Sequence, residues 1–302
     1  MLISQDLPIL LTLLSAAITA ILAGSLLLPR GQIMVSEAAS HAVLPGLVLG
    51  FAFVGNHGWE VLIGAVLVIG LFVLGVGWLR SRHSLGTGVE IAGLFPVFFG
   101  VGILALSLTG LEETGTIDVD HVLFGSLELL IWFEVGSWAD LARPEVWLSA
   151  PSQMITALVS VILSLGLCGL AYPFLHRSLM DQQLARLQTP VASAVARILE
   201  VLVVALAAAA CLRSAGVVVA IALFSAPVIA AWAFARSLWQ VWVVATAFAL
   251  VGVALTYGTS MTLLAIFDVE PRLSGTLALW LASLAVFASP AARIFGKSRP
   301  LP

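Results

Sequence analysis

The chain has 302 residues, 61% of them hydrophobic and 10% charged, with a formal net charge of −3. Soluble globular domains are roughly 45–50% apolar and about 25% charged, so 13 basic and 16 acidic side chains cannot coat a water-exposed body of this size, and lipid must be part of the solvent. Lys297 is the only lysine, and the basic stripe that a nucleic-acid binder needs does not exist.

A helix that crosses a bilayer needs about 20 mostly apolar residues. In chain order the candidates are 9–28, 34–54, 61–79, 89–108, 155–175, 195–212, 217–234, 241–266 and 277–295. The expected fold is therefore an all-α polytopic membrane bundle of about eight to nine spans, in a single domain covering 1–302. The first span is too long for the about 7–15-residue core of a signal peptide and has no basic start, so it is expected to be retained. Pro45, Pro96 and Pro227 mark places where a span is open to a break or a re-entrant turn, because proline removes a backbone hydrogen bond. Cys168 and Cys211 both fall inside apolar runs and are expected as small buried hydrophobes rather than a disulfide or metal pair.

Alternating these nine spans sorts the basic residues onto two sides. Arg30, Arg80, Arg82, Arg177, Arg186, Arg197, Arg236, Arg293, Lys297 and Arg299 fall on one side, against Arg143, Arg213 and Arg272 on the other. The positive-inside rule makes the first side cytoplasmic, which puts the N-terminus outside and the C-terminus inside. Glu90, Glu200 and Arg213 lie near span ends, where snorkelling accounts for them.

The longest connection, 110–151, then faces outward and holds eight acidic residues against Arg143 alone. It is expected to be a solvated outer loop, with a vestibule that concentrates cations as the alternative. Within it, 122–133 is apolar enough for an interfacial or re-entrant helix. On the inner side, 176–190 is the largest element, with a short helix expected over 178–187.

Ionisable groups inside a membrane span are costly and ordinarily face a pathway or a partner. The second span begins Ser36-Glu37-Ala38-Ala39-Ser40-His41 and runs on to Pro45-Gly46. Glu37 and His41 are four residues apart and share one helix face. A carboxylate and an imidazole are donors for a divalent transition metal such as Zn²⁺ or Mn²⁺; a proton relay is the other role open to such a pair. One helix supplies only two ligands, so a four-ligand site needs a second copy across a dimer axis. Pro45 frees a carbonyl near His41, and Gly46 with Gly50 permits close helix approach. His57, His83, His121 and His176 lie in loops or at a helix end and are weaker candidates.

Enzyme motifs are missing. The zincin pattern H-E-x-x-H does not occur, nor does the G-x-S-x-G elbow. Gly296-Lys297-Ser298 has Ala291 where a phosphate-binding loop needs its first glycine.

The run Met34-Val-Ser-Glu37-Ala-Ala-Ser-His41-Ala-Val-Leu-Pro45-Gly46 resembles the signature second helix of bacterial ABC permeases that import manganese, zinc or iron. Val122-Leu-Phe-Gly125-Ser126-Leu and the helix from Ala215-Gly216 to Pro227 are similar to further stretches of that family, in the same order, and the likeness extends from about Gly24 to Ala285. Glu37 stands where the family usually has Asp; Gln188 and 270–275 also depart from its pattern. The resemblance implies a transporter subunit of the cytoplasmic (inner) membrane, not an enzyme, with no resident cofactor. It implies that Glu37 and His41 coordinate the transported Mn²⁺ or Zn²⁺. It further implies as partners a second permease subunit (a copy or a paralogue), a cytoplasmic ATPase that docks on a coupling helix around 180–185, and an extracytoplasmic metal-binding protein. A secondary proton-coupled cation transporter and a siderophore or haem permease are the alternatives.

Overall fold

The computed structural model describes residues 3–54, 59–82, 88–110, 125, 127–180, 190–268 and 273–295. Among them the regular structure is helical throughout. In chain order the helices are α1 Ile3–Leu27, α2 Met34–Ala42, α3 Leu44–Val54, α4 Trp59–Arg82, α5 Val89–Thr109, α6 Pro144–Leu148, α7 Ser152–Met180, α8 Pro190–Ser214, α9 Gly216–Trp232, α10 Leu238–Phe267 and α11 Leu273–Phe295. Seven helical stretches are long and apolar enough to cross a membrane, with α2 and α3 together counting as one; the apolar stretches Gly216–Trp232 and Gly275–Ala288 are shorter. The nine expected spans thus correspond to helical segments.

Helix α1 is apolar on all sides and packs against α7, α8, α9 and α10, as a helix surrounded by protein must. Small residues let its neighbours come close. A Cβ at Gly24 would sit 2.0 Å from the Phe224 carbonyl oxygen of α9, and Ala205, Ala207, Ala208, Ala209 and Ala210 of α8 are all buried. Polar side chains meet near the C-terminal end of α1: the Trp242 ring N–H donates to Ser25 Oγ at 2.8 Å. Cys168 and Cys211 are both buried and free, and the Cys211 thiol faces the Ala16 carbonyl oxygen at 3.5 Å.

The proline expectations divide. The second span does break, at Val43 between α2 and α3, two residues before Pro45. Helices α5 and α9 instead run on through Pro96 and Pro227. Gly46 does permit close approach: a Cβ there would lie 2.5 Å from the Gly64 carbonyl oxygen, so α3 and α4 cross backbone to backbone. Gly125 has φ +82, and a Cβ on it would meet the Ala215 carbonyl at 2.5 Å; Gly125 and the residue preceding α9, singled out separately in the sequence, therefore touch.

The outer segment differs from expectation. Its described residues form no helix over 127–133, only a 3-10 turn at Leu127–Leu129. They build a small cap in which Trp132, Val135, Val146 and Met154 are buried against Leu7 and Leu11 of α1 and Leu158 of α7. Satisfying the Trp132 ring N–H fixes this cap, since it donates to the Val146 carbonyl at 3.2 Å. A capping box between Ser137 and Asp140 starts the next 3-10 turn, and the Ser137 hydroxyl and amide hold the Asp140 carboxyl below its ordinary range. Residues 111–124 lie outside the described residues, as do 181–189, where most of the expected inner helix falls; α7 itself continues to Met180.

Candidate functional site

The break at Val43 leaves α2 as a separate nine-residue helix. Residues 34, 37, 38 and 41 recur at a spacing that keeps them on one face, and Met34, Glu37, Ala38 and His41 line one side of a cavity of about 200 Å³. The opposite wall is the first two turns of α5, through Gly88, Ile91, Ala92 and Phe95. A volume of that order admits a cation with several waters. Among the described lining residues, Glu37 and His41 are the only ionisable side chains, and the rest are apolar.

The two candidate ligands are held differently. Glu37 is exposed, while His41 is half-buried. The His41 ring meets Phe95 edge-on at 5.3 Å between centroids and Phe99 at 5.8 Å, and the two phenyl rings stack on each other at 5.9 Å. Such edge-to-face contacts favour one ring orientation, so α5 acts as a clamp on the imidazole. Nothing in the sequence separates Phe95 and Phe99 from lipid-facing aromatics, and the contribution of α5 was not legible there. Among the described residues, no group of three or more His, Cys, Asp or Glu side chains is placed to hold a metal ion. Glu37 and His41 are the two such side chains among the described residues that line this cavity.

Most of α5 is turned outward, with Val97, Val101, Leu104 and Leu108 exposed. Gly93 and Gly100 on the same helix have open space beside them, with nothing within 4 Å of an added Cβ.

Among the described residues, the one other histidine, His176, lies apart from this site. It stacks on Tyr172 at 5.6 Å, near Trp242, and His57, His83 and His121 lie outside the described residues. Two carboxylates expected to snorkel do not. Glu90 and Glu200 are 1% and 5% exposed, and each is paired with an arginine: Arg80 with Glu90 and Arg30 with Glu200. Both arginines stand at the ends of their helices, so each acid is neutralised inside the protein rather than drawn out to water.

The sequence profile of the ABC 3 transport family matches residues 7–289. The manganese transport system membrane protein MntC of Halalkalibacterium halodurans is 26% identical over 204 residues, which is 68% of this chain and 61% of that protein. The chelated iron transport system membrane protein YfeD of Yersinia pestis is 26% identical over 257 residues, 80% of this chain and 72% of that one. Across the curated relatives that the chain matches, the matched stretch covers 36% to 85% of their own length. Among solved structures, a chain of PsaBC from Streptococcus pneumoniae in complex with Fab has the same fold, with a TM-score of 0.69 at 21% identity over 93% of this chain and 89% of that one.

Proposed function

The chain belongs to the ABC 3 transport family; it is a membrane permease subunit and not an enzyme, and from that premise we propose that it carries a divalent transition-metal cation inward across the cytoplasmic membrane. The reading extends to manganese, zinc or iron as cargo, and relatives named for manganese and for chelated iron support that range. The observation that carries it is the shared cavity of Glu37 and His41, a carboxylate and an imidazole one helical turn apart on an apolar wall.

A two-ligand half-site becomes a four-ligand site when a second permease, a copy or a paralogue, brings its own α2 to the same axis. The exposed carboxylate of Glu37 and the outward face of α5 support that arrangement. The basic residues fall ten to three on the two sides, which supports an outer N-terminus and a cytoplasmic C-terminus. On that orientation, 176–190 is the segment that meets a separate ATPase and 110–151 faces an extracytoplasmic metal-binding protein.

Uptake of ⁵⁴Mn²⁺ or ⁶⁵Zn²⁺ into proteoliposomes holding the permease pair and its ATPase tests this reading. Uptake is expected only with ATP, and is expected to fall at least about 100-fold in His41→Ala and in Glu37→Gln, each of which removes a first ligand. Uptake by the permease without its ATPase, driven by a proton gradient, would establish secondary transport instead. Chelate uptake untouched by His41→Ala would establish a siderophore permease.

A further inference from the structure

Helix α5 enters the cavity wall through Gly88, Ile91, Ala92 and Phe95, a spacing of three, four and seven residues that defines one face. Glu90 falls between them in sequence but roughly opposite in space, since each residue turns the helix by about 100°. It points away from the cavity and is no ligand. There it is 1% exposed and bonded to Arg80 at the end of α4, which ties the first turn of α5 to the last turn of α4 from behind the wall.

The pair is poorly made as a source of stability. Among the described residues, Oε2 of Glu90 and Nη2 of Arg80 are both buried without a hydrogen-bond partner. A buried ion pair with spare donors and acceptors is commonly no better than apolar side chains of the same size. What it does provide is direction. Apolar burial is non-directional, whereas a charged hydrogen bond fixes one point of α5 against one point of α4. Helix α4 is itself fixed to α3 by the Gly46–Gly64 backbone contact, and α3 continues from α2. Helix α2, which bears Glu37 and His41 and ends at the break at Val43, packs directly against both α4 and α5, so the Arg80–Glu90 tie joins the two helices that α2 rests on. Phe95 and Phe99, which clamp the His41 ring, ride on the wall so positioned.

We infer that Arg80 and Glu90 are positioning residues that set the spacing between the α5 wall and the Glu37–His41 pair, and thereby the discrimination among divalent cations. The inference rests on the proposed role of Glu37 and His41 as ligands. Divalent metals bound by the same donors are told apart by geometry rather than raw affinity, and a site free to relax follows the intrinsic order, in which Zn²⁺ outranks Mn²⁺. Loosening α5 lets the imidazole and carboxylate close toward the tetrahedral arrangement that zinc prefers.

The test measures half-saturating Mn²⁺ and Zn²⁺ concentrations for ATP-driven uptake by the whole transporter in proteoliposomes. It compares wild type, Glu90→Gln, Glu90→Ala and the exchange Arg80→Glu with Glu90→Arg. The ratio of the two concentrations is expected to move toward zinc by about tenfold in the single variants, the scale on which outer-shell partners of metal ligands act. The exchange is expected to return the ratio to the wild-type value. An unchanged ratio in Glu90→Gln overturns the inference, as does a parallel fall in uptake of both cations, which is what a purely structural role produces. If Glu90→Ala fails to accumulate, Glu90→Gln and the exchange carry the test; an exchange variant that is folded but not restored in ratio overturns it. His41→Ala separates the two levels: surviving uptake defeats the ligand reading, whereas lost uptake beside an unchanged ratio in Glu90→Gln defeats the positioning inference alone.

Discussion

Helices α1 and α5 are apolar to nearly the same degree, yet 78% of the most apolar stretch of α1 is buried inside the chain and only 17% of that of α5. Hydropathy measures transfer out of water and does not distinguish protein from lipid as the new surroundings. What separates the two helices is how many neighbours each has within the chain: α1 packs against four other long helices, whereas α5 makes its close glycine contact at Gly102, against Leu44 and Pro45 of α3. Gly24 of α1 touches the backbone of α9, while Gly93 and Gly100 of α5 face open space. The first helix is completed by its own chain; the second is left for something else to complete, and it is the second that walls the cavity.

The sharpest way to break this contrast is to add bulk to each helix. Gly24→Leu forces a side chain into a carbonyl 2.0 Å away, and overpacking of that kind costs about 3 kcal/mol or more. Folded permease is expected to vanish from size-exclusion profiles of detergent extracts. Gly100→Leu, with free space in the single chain, is expected to leave a folded subunit whose native mass spectrum loses the paired permease. A paired spectrum identical to wild type would place lipid, not protein, on that face.

A smaller effect is expected where α1 meets α2. Arg30→Ala leaves the Glu200 carboxylate, 5% exposed, without its partner. Breaking a buried pair from one side costs about 3 kcal/mol, visible as a lower midpoint in thermal unfolding followed by tryptophan fluorescence. Double replacement of Arg30 and Glu200 by Met and Leu should recover most of that loss.

In the outer cap, Trp132→Phe keeps the buried ring but loses the hydrogen bond to the Val146 carbonyl, worth about 1 kcal/mol. Faster proteolysis within 127–150, with the spans intact, is the expected readout. The mildest effect is that of pH on the same cap. Asp140 is held below the usual carboxylate range by Ser137, so its contribution is complete above the ordinary carboxylate pKa and fades as pH falls through its lowered value. Acid should therefore speed cap proteolysis in wild type and leave the rate in Asp140→Asn independent of pH.

The sequence carries the class of fold because lipid demands about 20 apolar residues per span, and every expected span finds a helix. Glu37 and His41 were legible because polar groups four residues apart inside a span are rare and costly. The α5 wall was not legible, since Phe95 and Phe99 look like any lipid-facing aromatic until His41 is seen between them. The burial of Glu90 and Glu200 was also hidden: each lies near a span end, where water and a distant arginine are equally available to sequence reasoning. Only the folded chain brings Arg30 to a residue 170 positions away. Over the described part of 122–133, Leu127, Leu130 and Trp132 are buried without a continuous helix, while Leu129 and Phe133 stay exposed.

The central claim is that two chains each give one carboxylate and one imidazole to a single cation. Metal analysis of the purified transporter, equilibrated with Mn²⁺ or Zn²⁺ and freed of excess, tests it most directly. One bound ion for every two permease chains, lost in His41→Ala and in Glu37→Gln, is the predicted result. One ion per chain, or binding that survives both substitutions, contradicts it.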